Sequence, residues 1–232
     1  MRADAAVSAG KRSLIIIIPA RNEEATVGGV VQELKARVDA EIVVISDAST
    51  DGTRRAALAA GATVLPVAVQ IGAWGAVRTG LRYALKRGAA RAITMDADGQ
   101  HPADSIPLIL KPIEAGDADI VIGACPQRGS RARKLAWGFF RQVTRLKVHD
   151  LTSGFRAYNR SAITALVSED TVLLDYQDIG VLLYLRKRGL RIAEAPVAMC
   201  PRIAGHSKVF STWWTVLKYL IYTGVLCLAR RH

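Results

Sequence analysis

Cysteine is scarce in this chain: Cys125, Cys200 and Cys227, three residues far apart and odd in number among 232. That excludes a disulfide framework or a cysteine-based zinc site and suits a reducing compartment. Internal repeats and low-complexity tracts are absent, and half of the residues are hydrophobic, so the length fits one domain with a sizeable core. Long apolar runs are missing too. The lead MRADAAVSAGKR (1–12) is polar, and the LIIII that follows is too brief for a signal-peptide core and runs into Pro19, so it reads as a strand. No GxGxxG follows that strand and no GxxxxGK[ST] occurs anywhere, which argues against a dinucleotide dehydrogenase and a P-loop phosphotransferase.

Acidic residues are missing locally. Residues 120–149 carry Arg128, Arg131, Arg133, Lys134, Arg141, Arg145 and Lys147 with no acid, and residues 195–232 carry Arg202, Lys208, Lys218, Arg230 and Arg231 with none. Those two blocks account for the whole net charge of +12. A localised positive field implies an anionic partner: substrate phosphates, an anionic membrane surface or nucleic acid. A solvated basic face is the plainer alternative.

What is present is an alternation of strand-like and helix-like segments. Leu14–Ile18, Glu41–Ile45, Thr63–Val67, a strand ending at Asp96 and Asp119–Gly123 read as strands. Between them, Glu23–Arg37, Asp51–Ala60, Gly75–Arg87 and Ser105–Ala115 have helical spacing. That order predicts an α/β domain, Rossmann-like, with a mostly parallel sheet and helices on both faces. Further on, Lys134–Lys147 reads as an amphipathic helix, Leu151–Asn159 as irregular or strand, Asp178–Lys187 as a helix and Leu190–Glu194 as a strand. Val209–Ala229 reads as a strongly apolar final helix.

The segment RAITMDADGQHP (91–102) ends an apolar run on two carboxylates, Asp96 and Asp98, and then turns at Gly99. Open α/β sheets bind ligands beyond the carboxyl ends of their strands, and hard divalent cations that carry phosphates take oxygen ligands there. An acidic β-turn with Asp98-Gly99 at its corner is the competing explanation. Neighbouring strand ends tip the balance. Pro19-Ala20-Arg21-Asn22-Glu23 follows the first strand, Asp47 lies just past Ile45 where a nucleobase or ribose could donate to it, and Gln70–Gly75 follows the third strand with glycines that permit close approach. Asp51 reads as a helix cap. His101 and His149 have no second His or Cys at zinc spacing and read as structural.

The ordered set IIIIPARNEE, ISDASTDGT, IGAWGAVRTGL, MDADGQHP, DLTSGFRAY and IAEAPV resembles family-2 glycosyltransferases of GT-A fold. More narrowly, it is similar to the dolichol-phosphate mannose synthase and polyprenyl-phosphate glycosyltransferase branch, in order from about Leu14 to Lys208. The resemblance implies that Pro19, Ala20, Arg21, Glu23 and Asp47 hold the nucleotide, with Gly72 in the loop beside them. It places Asp96 near the nucleotide sugar, and has Asp98 bind Mg²⁺ or Mn²⁺ with Gln100 as a further ligand. Arg128, Arg131 and Arg133 are candidates for the diphosphate clamp, though each could equally be a surface cation. Arg202, Ser207 and Lys208 match a segment that covers the donor phosphates, and Asp150, Thr152, Ser153 and Gly154 match the acceptor side. Asp178 matches the Asp of a Glu-Asp pair that supplies a base in relatives acting on hydroxyls; orientation or capping is as good an explanation for it. Gln177 departs from that pair, Ala73 stands where Lys is frequent, and Gln70 where Asn is usual, which leaves the donor open.

The implied organisation is a polar lead (1–12), a GT-A domain (13–208) with a nucleotide-sugar half (13–123) and an acceptor half (124–208), and a C-terminal helix (209–232). Tyr219–Ala229, the uncharged stretch, is eleven residues long, and a spanning helix needs about 20. Trp213, Trp214, Lys218, Arg230 and Arg231 therefore suit an interfacial helix, with core packing as the alternative. The expected activity is inverting transfer of a sugar from a nucleoside diphosphate to a polyprenyl (dolichyl or undecaprenyl) phosphate, by an enzyme bound peripherally at the cytoplasmic membrane face. A phosphate oxygen is already anionic and needs no general base. The enzymatic alternative glycosylates a glycan hydroxyl with Asp178 as base. A non-catalytic membrane- or nucleic-acid-binding protein is the rival from charge alone. Acids at three strand ends weigh against it, and no nucleic-acid partner is expected.

Overall fold

A computed structural model describes residues 14–125, 148–150, 153–171 and 179–201. The expected helices at 134–147 and 209–229 lie outside the described residues. So do the candidate site residues Arg128, Arg131, Arg133, Thr152, Asp178, Arg202 and Lys208.

β1 (Leu14–Ala20) is a β-branched run buried on both faces, as a central strand of a covered parallel sheet requires. α1 (Glu24–Arg37), β2 (Glu41–Asp47), α2 (Thr53–Ala59), β3 (Thr63–Val67), α3 (Gly72–Lys86) and β4 (Arg91–Thr94) follow in alternation. A 3₁₀ turn at Ala103–Ser105 leads into α4 (Ile106–Glu114) and β5 (Ile120–Ala124). Then come β6 (Arg156–Asn159), α5 (Arg160–Val167), a 3₁₀ turn at Glu169–Thr171, α6 (Ile179–Lys187) and β7 (Ile192–Pro196). The seven strands form one sheet in the order β3-β2-β1-β4-β6-β5-β7.

Side chains alternate across a strand, so β1 feeds two cores. Ile15 and Ile17 face Val77 and Leu81 of α3, Ile163 and Leu166 of α5 and the apolar face of α6. Leu14, Ile16 and Ile18 join Val27, Val31 and Leu34 of α1 and Ile106 and Ile109 of α4 on the other face. The sheet is mostly parallel with helices on both faces, as expected, with one reversal. β6 is antiparallel to both of its neighbours, Thr94 lying opposite Arg156 and Ile120 opposite Tyr158. β5 and β7 are parallel to each other, so β6 alone runs against the remaining strands. The sequence reading missed α5 and placed some boundaries a few residues off. β4 stops at Thr94, two residues short of Asp96, and α3 begins at Gly72 rather than Gly75.

Candidate active site

Because the other strands are parallel, Ala20, Asp47, Val67, Thr94 and Ala124 all finish at one edge of the sheet. The reversal of β6 brings its beginning to that same edge, so Ser153 and Gly154 arrive beside the end of β4. The hydroxyl of Thr94 donates to the Gly154 carbonyl at 2.8 Å. Reading an antiparallel strand into the middle of the sheet is what joins the acceptor-side segment to the Asp-x-Asp turn.

The loops after β1 and β2 are laced together by short polar side chains. The Thr50 amide donates to Asn22 Oδ1 at 2.9 Å, the Glu23 amide to Thr53 Oγ1 at 2.8 Å, and the Gly52 amide to Glu24 Oε2 at 3.0 Å. Asn22 and Ala48 both take left-handed backbone conformations, with φ of 52° and 47°. Asn does so with little strain; Ala does not, and its amide is tied to the Val67 carbonyl at 3.0 Å. The N-cap of α2 is Gly52 rather than Asp51, but Asp51, one residue earlier, receives the amides of Thr53 and Glu24 and so ties the start of α2 to the β1 loop. Burial pushes its carboxyl up, but hydrogen bonds from the Thr53 hydroxyl and the Thr53 and Glu24 amides outweigh that and hold it below the usual carboxylate range.

Asp47 is buried at the end of β2. Its two carboxylate oxygens accept the backbone amides of Ile71, at 2.8 Å, and Gly72, at 3.0 Å. These are the orphan donors at the N-terminus of α3, where the helix dipole favours a negative charge. This cap explains why α3 starts three residues earlier than its own pattern indicates. A carboxylate has about four lone-pair sites, so two amides leave Asp47 able to accept from a ligand as well. Pro19 and Ala20 close β1, and Arg21 is exposed beyond them with Glu23 half-buried.

In the Asp-x-Asp turn, Asp98 is buried and its Oδ1 accepts the Gln100 amide at 3.0 Å. Gln100 is pinned from the far side of the sheet. Its carbonyl accepts the Cys200 amide at 2.8 Å, and its Nε2 donates to the Cys200 carbonyl at 3.4 Å. That contact uses the Gln100 Nε2 as donor, and its Oε1 is a hard oxygen of the kind Mg²⁺ or Mn²⁺ accepts. Among the described residues no group of three or more His, Cys, Asp and Glu could hold a metal by itself. One or two carboxylates with substrate phosphates completing the shell is the usual arrangement for Mg²⁺, so Asp98 and Gln100 fit a cation that arrives with a diphosphate. Asp96 is half-exposed. A Cβ on Gly154 would stand 2.8 Å from Asp96 Oδ1, so only glycine lets the acceptor-side turn approach that carboxylate so closely.

Asp150 and Ser153 are fully buried at the same edge. Glu194 on β7 holds the turn before them: its carboxylate accepts the amides of His149, at 2.8 Å, and Asp150, at 2.7 Å, and meets His149 Nδ1 at 2.8 Å. Sequence reasoning placed Glu194 only as the end of a strand. The long-range contact that makes it an anchor has no local signal.

The model of the family described as "Glycosyl transferase family 2" matches residues 15–166. The chain is 30% identical over 213 residues to an undecaprenyl-phosphate mannosyltransferase of Micrococcus luteus, covering 84% of this chain and 87% of that one. It is 28% identical over 216 residues to a polyprenol monophosphomannose synthase of Mycolicibacterium smegmatis, covering 84% and 80%. Among solved structures, it superposes on glucosyl-3-phosphoglycerate synthase of Mycobacterium tuberculosis, in complex with Mn²⁺, UDP and phosphoglyceric acid, with a TM-score of 0.72 at 24% identity, covering 97% of this chain and 80% of that one. That likeness carries the GT-A fold, and the family match spans most of the sheet and every acidic strand end described above. The chain belongs to glycosyl transferase family 2, within reach of its polyprenyl-phosphate branch, and is a glycosyltransferase.

Proposed function

We propose that this enzyme transfers a sugar from a nucleoside diphosphate sugar to a polyprenyl phosphate, with inversion, at the cytoplasmic face of a membrane. The observation that carries this is the meeting of Asp47, Asp96, Asp98, Asp150, Ser153 and Gly154 at one sheet edge in a chain whose relatives are named for polyprenyl-phosphate acceptors. Residues 13–123 supply the donor side and 124–208 the acceptor side, with 209–232 lying at the membrane interface.

In the reaction an acceptor phosphate oxygen attacks the anomeric carbon from the face opposite the leaving group. The new C–O bond forms as the bond to the diphosphate breaks, and its electron pair leaves with the nucleoside diphosphate. No proton has to be removed, because the attacking oxygen is already ionised. Asp98 and Gln100 would hold Mg²⁺ or Mn²⁺, which when bound supplies charge neutralisation to the departing diphosphate. Asp47, Pro19, Ala20, Arg21, Glu23 and Gly72 would seat the nucleotide, and Asp96 would face the sugar. Arg128, Arg131, Arg133, Arg202 and Lys208 would clamp the phosphates. Asp150, Thr152, Ser153 and Gly154 would line the acceptor side. Asp178 would orient this side rather than act as a base.

The deciding experiment incubates the protein with Mn²⁺, a panel of labelled UDP-, GDP- and TDP-sugars, and undecaprenyl or dolichyl phosphate. Label that becomes organic-extractable supports the proposal. Label recovered only on glycan hydroxyls or on a small phosphorylated acid replaces it with the hydroxyl-acceptor chemistry, and binding without any turnover rejects both.

A further inference from the structure

His101 is the anomaly of the site. Its side chain is 2% exposed, and neither Nδ1 nor Nε2 has a hydrogen-bond partner among the described residues. A neutral imidazole carries one donor and one acceptor, and leaving a buried polar atom unmatched costs about 1–3 kcal/mol. A phenyl or isobutyl group would fill the same space without that cost, so the two nitrogens require an explanation.

The surroundings fix where the ring lies. It stacks on Phe155 with centroids 4.9 Å apart and planes 20° from parallel. Phe155 is in turn seated over Gly123, where a Cβ would come within 2.4 Å of the phenyl ring. The imidazole therefore cannot swing away without displacing the core between β5 and β6. Its Nε2 stands 3.7 Å from Asp96 Oδ2, just beyond hydrogen-bond reach, and the Asp96 side chain is 49% exposed. A shift of about 1 Å in that carboxylate closes the gap to a charge-assisted hydrogen bond.

We infer that His101 is a positioning residue for Asp96. It is the Nε2–H tautomer, and its N–H takes hold of the Asp96 carboxylate when the donor is bound, setting the orientation in which that carboxylate meets the sugar. The imidazole is the buried partner and Asp96 the half-exposed one. This rests on the glycosyl-transfer reading above, in which Asp96 faces the donor sugar.

The test compares His101→Phe, which keeps the aromatic stack, with His101→Gln, whose terminal amide restores an N–H near the Nε2 position. Transfer is assayed with the sugar donor that the unaltered protein uses, and Mn²⁺-UDP and Mn²⁺-GDP binding is followed by calorimetry. Misplacing a reacting group by about 1 Å can cost up to about 100-fold. The expected result is accordingly a kcat lower by about 10- to 100-fold in His101→Phe, nucleotide affinity unchanged within about twofold, thermal stability equal or higher, and partial recovery of kcat in His101→Gln. An unchanged kcat in His101→Phe overturns the inference, because a purely structural ring predicts that result. A second measurement needs neither turnover nor a folded variant at position 101: ¹⁵N spectra of the imidazole in the full chain with diamagnetic Mg²⁺ and UDP. The Nε2–H tautomer, with a resonance that moves in Asp96→Asn, is expected; the other tautomer, or no response to Asp96→Asn, overturns it. If no nucleotide sugar is turned over at all, the glycosyl-transfer proposal fails while the spectra still decide whether His101 holds Asp96.

Discussion

The two edges of the sheet use the same residue types to opposite ends. At the edge where the parallel strands begin, acids are neutralised by bases and phenols from neighbouring elements. Glu41 accepts the Tyr83 hydroxyl at 2.5 Å and lies 3.5 Å from Arg87, Arg91 pairs with Glu114, and Asp119 gathers Asn159 at 2.7 Å and the Arg191 backbone at 2.7 Å and guanidinium at 3.2 Å. Burial and the Glu41 carboxylate together push the Tyr83 hydroxyl up, as a closed, charge-matched edge should. At the opposite edge backbone amides reach the carboxylates of Asp47, Asp98 and Glu194, and Glu194 also meets the His149 imidazole. An amide orients a carboxylate without cancelling its charge. One edge is closed by charge pairing, and at the other the amides orient the carboxylates that, on the glycosyl-transfer proposal, would meet a cation and a sugar.

Breaking the ligand edge at its centre has the largest expected effect. Asp98→Asn keeps an acceptor for the Gln100 amide but removes the charge. A lost electrostatic contact of this kind lowers kcat by about 10²- to 10³-fold, with Mn²⁺ binding by calorimetry lost and the melting temperature little changed. Gly154→Ala is gentler, since the new Cβ presses on Asp96 Oδ1 and that carboxylate can yield toward solvent. A displacement of a fraction of an ångström should lower kcat by about tenfold, with little change in nucleotide affinity. Retention of full activity in Gly154→Ala would mean that the orientation of Asp96 is immaterial.

Asp47→Ala should show both kinds of effect at once. The amides of Ile71 and Gly72 lose their acceptor, which costs stability of about 1–3 kcal/mol. Nucleotide affinity falls by about tenfold, the equivalent of one hydrogen bond to a charged group. Thermal melts with and without Mn²⁺-UDP separate the two. Loss of stability with unaltered affinity would make Asp47 a helix cap alone.

How much of this could be read from the chain differs by region. β1, β2 and β3 are legible because each is a run of β-branched residues closed by a turn. Asp47 and Asp96 are legible because each stops an apolar run abruptly. α5 escaped notice although Asn159 caps it in the ordinary way, its Oδ1 accepting the Ala162 amide at 2.9 Å. The helix is only eight residues long and follows β6 with no intervening turn. The direction of β6 is set by pairing with β4 and β5 on either side, and four residues carry no local mark of it. His101 was legible as part of the turn, but its isolation depends on Phe155, 54 positions away in the chain, and no spacing rule connects them.

Asp119→Asn tests the other edge and should have the smallest effect on function. Burial alone would push the Asp119 carboxyl up, but the Arg191 guanidinium and amide and the Asn159 side chain outweigh it and hold the group below the usual range. A group with a depressed folded value contributes its stability in full above the unfolded carboxyl value of about 3.9. That contribution is lost as the pH falls through the folded value. At neutral pH the variant should be less stable by about 1–2 kcal/mol, and the gap from the unaltered protein should close on acidification below about pH 4. Transfer per folded molecule should not change, because nothing at this edge faces the Asp-x-Asp turn. If Asp119→Asn instead lowered kcat at a temperature where it stays folded, charge pairing at the closed edge would be coupled through β5 and β7 to the ligand edge, and the division of labour between the two would have to be abandoned.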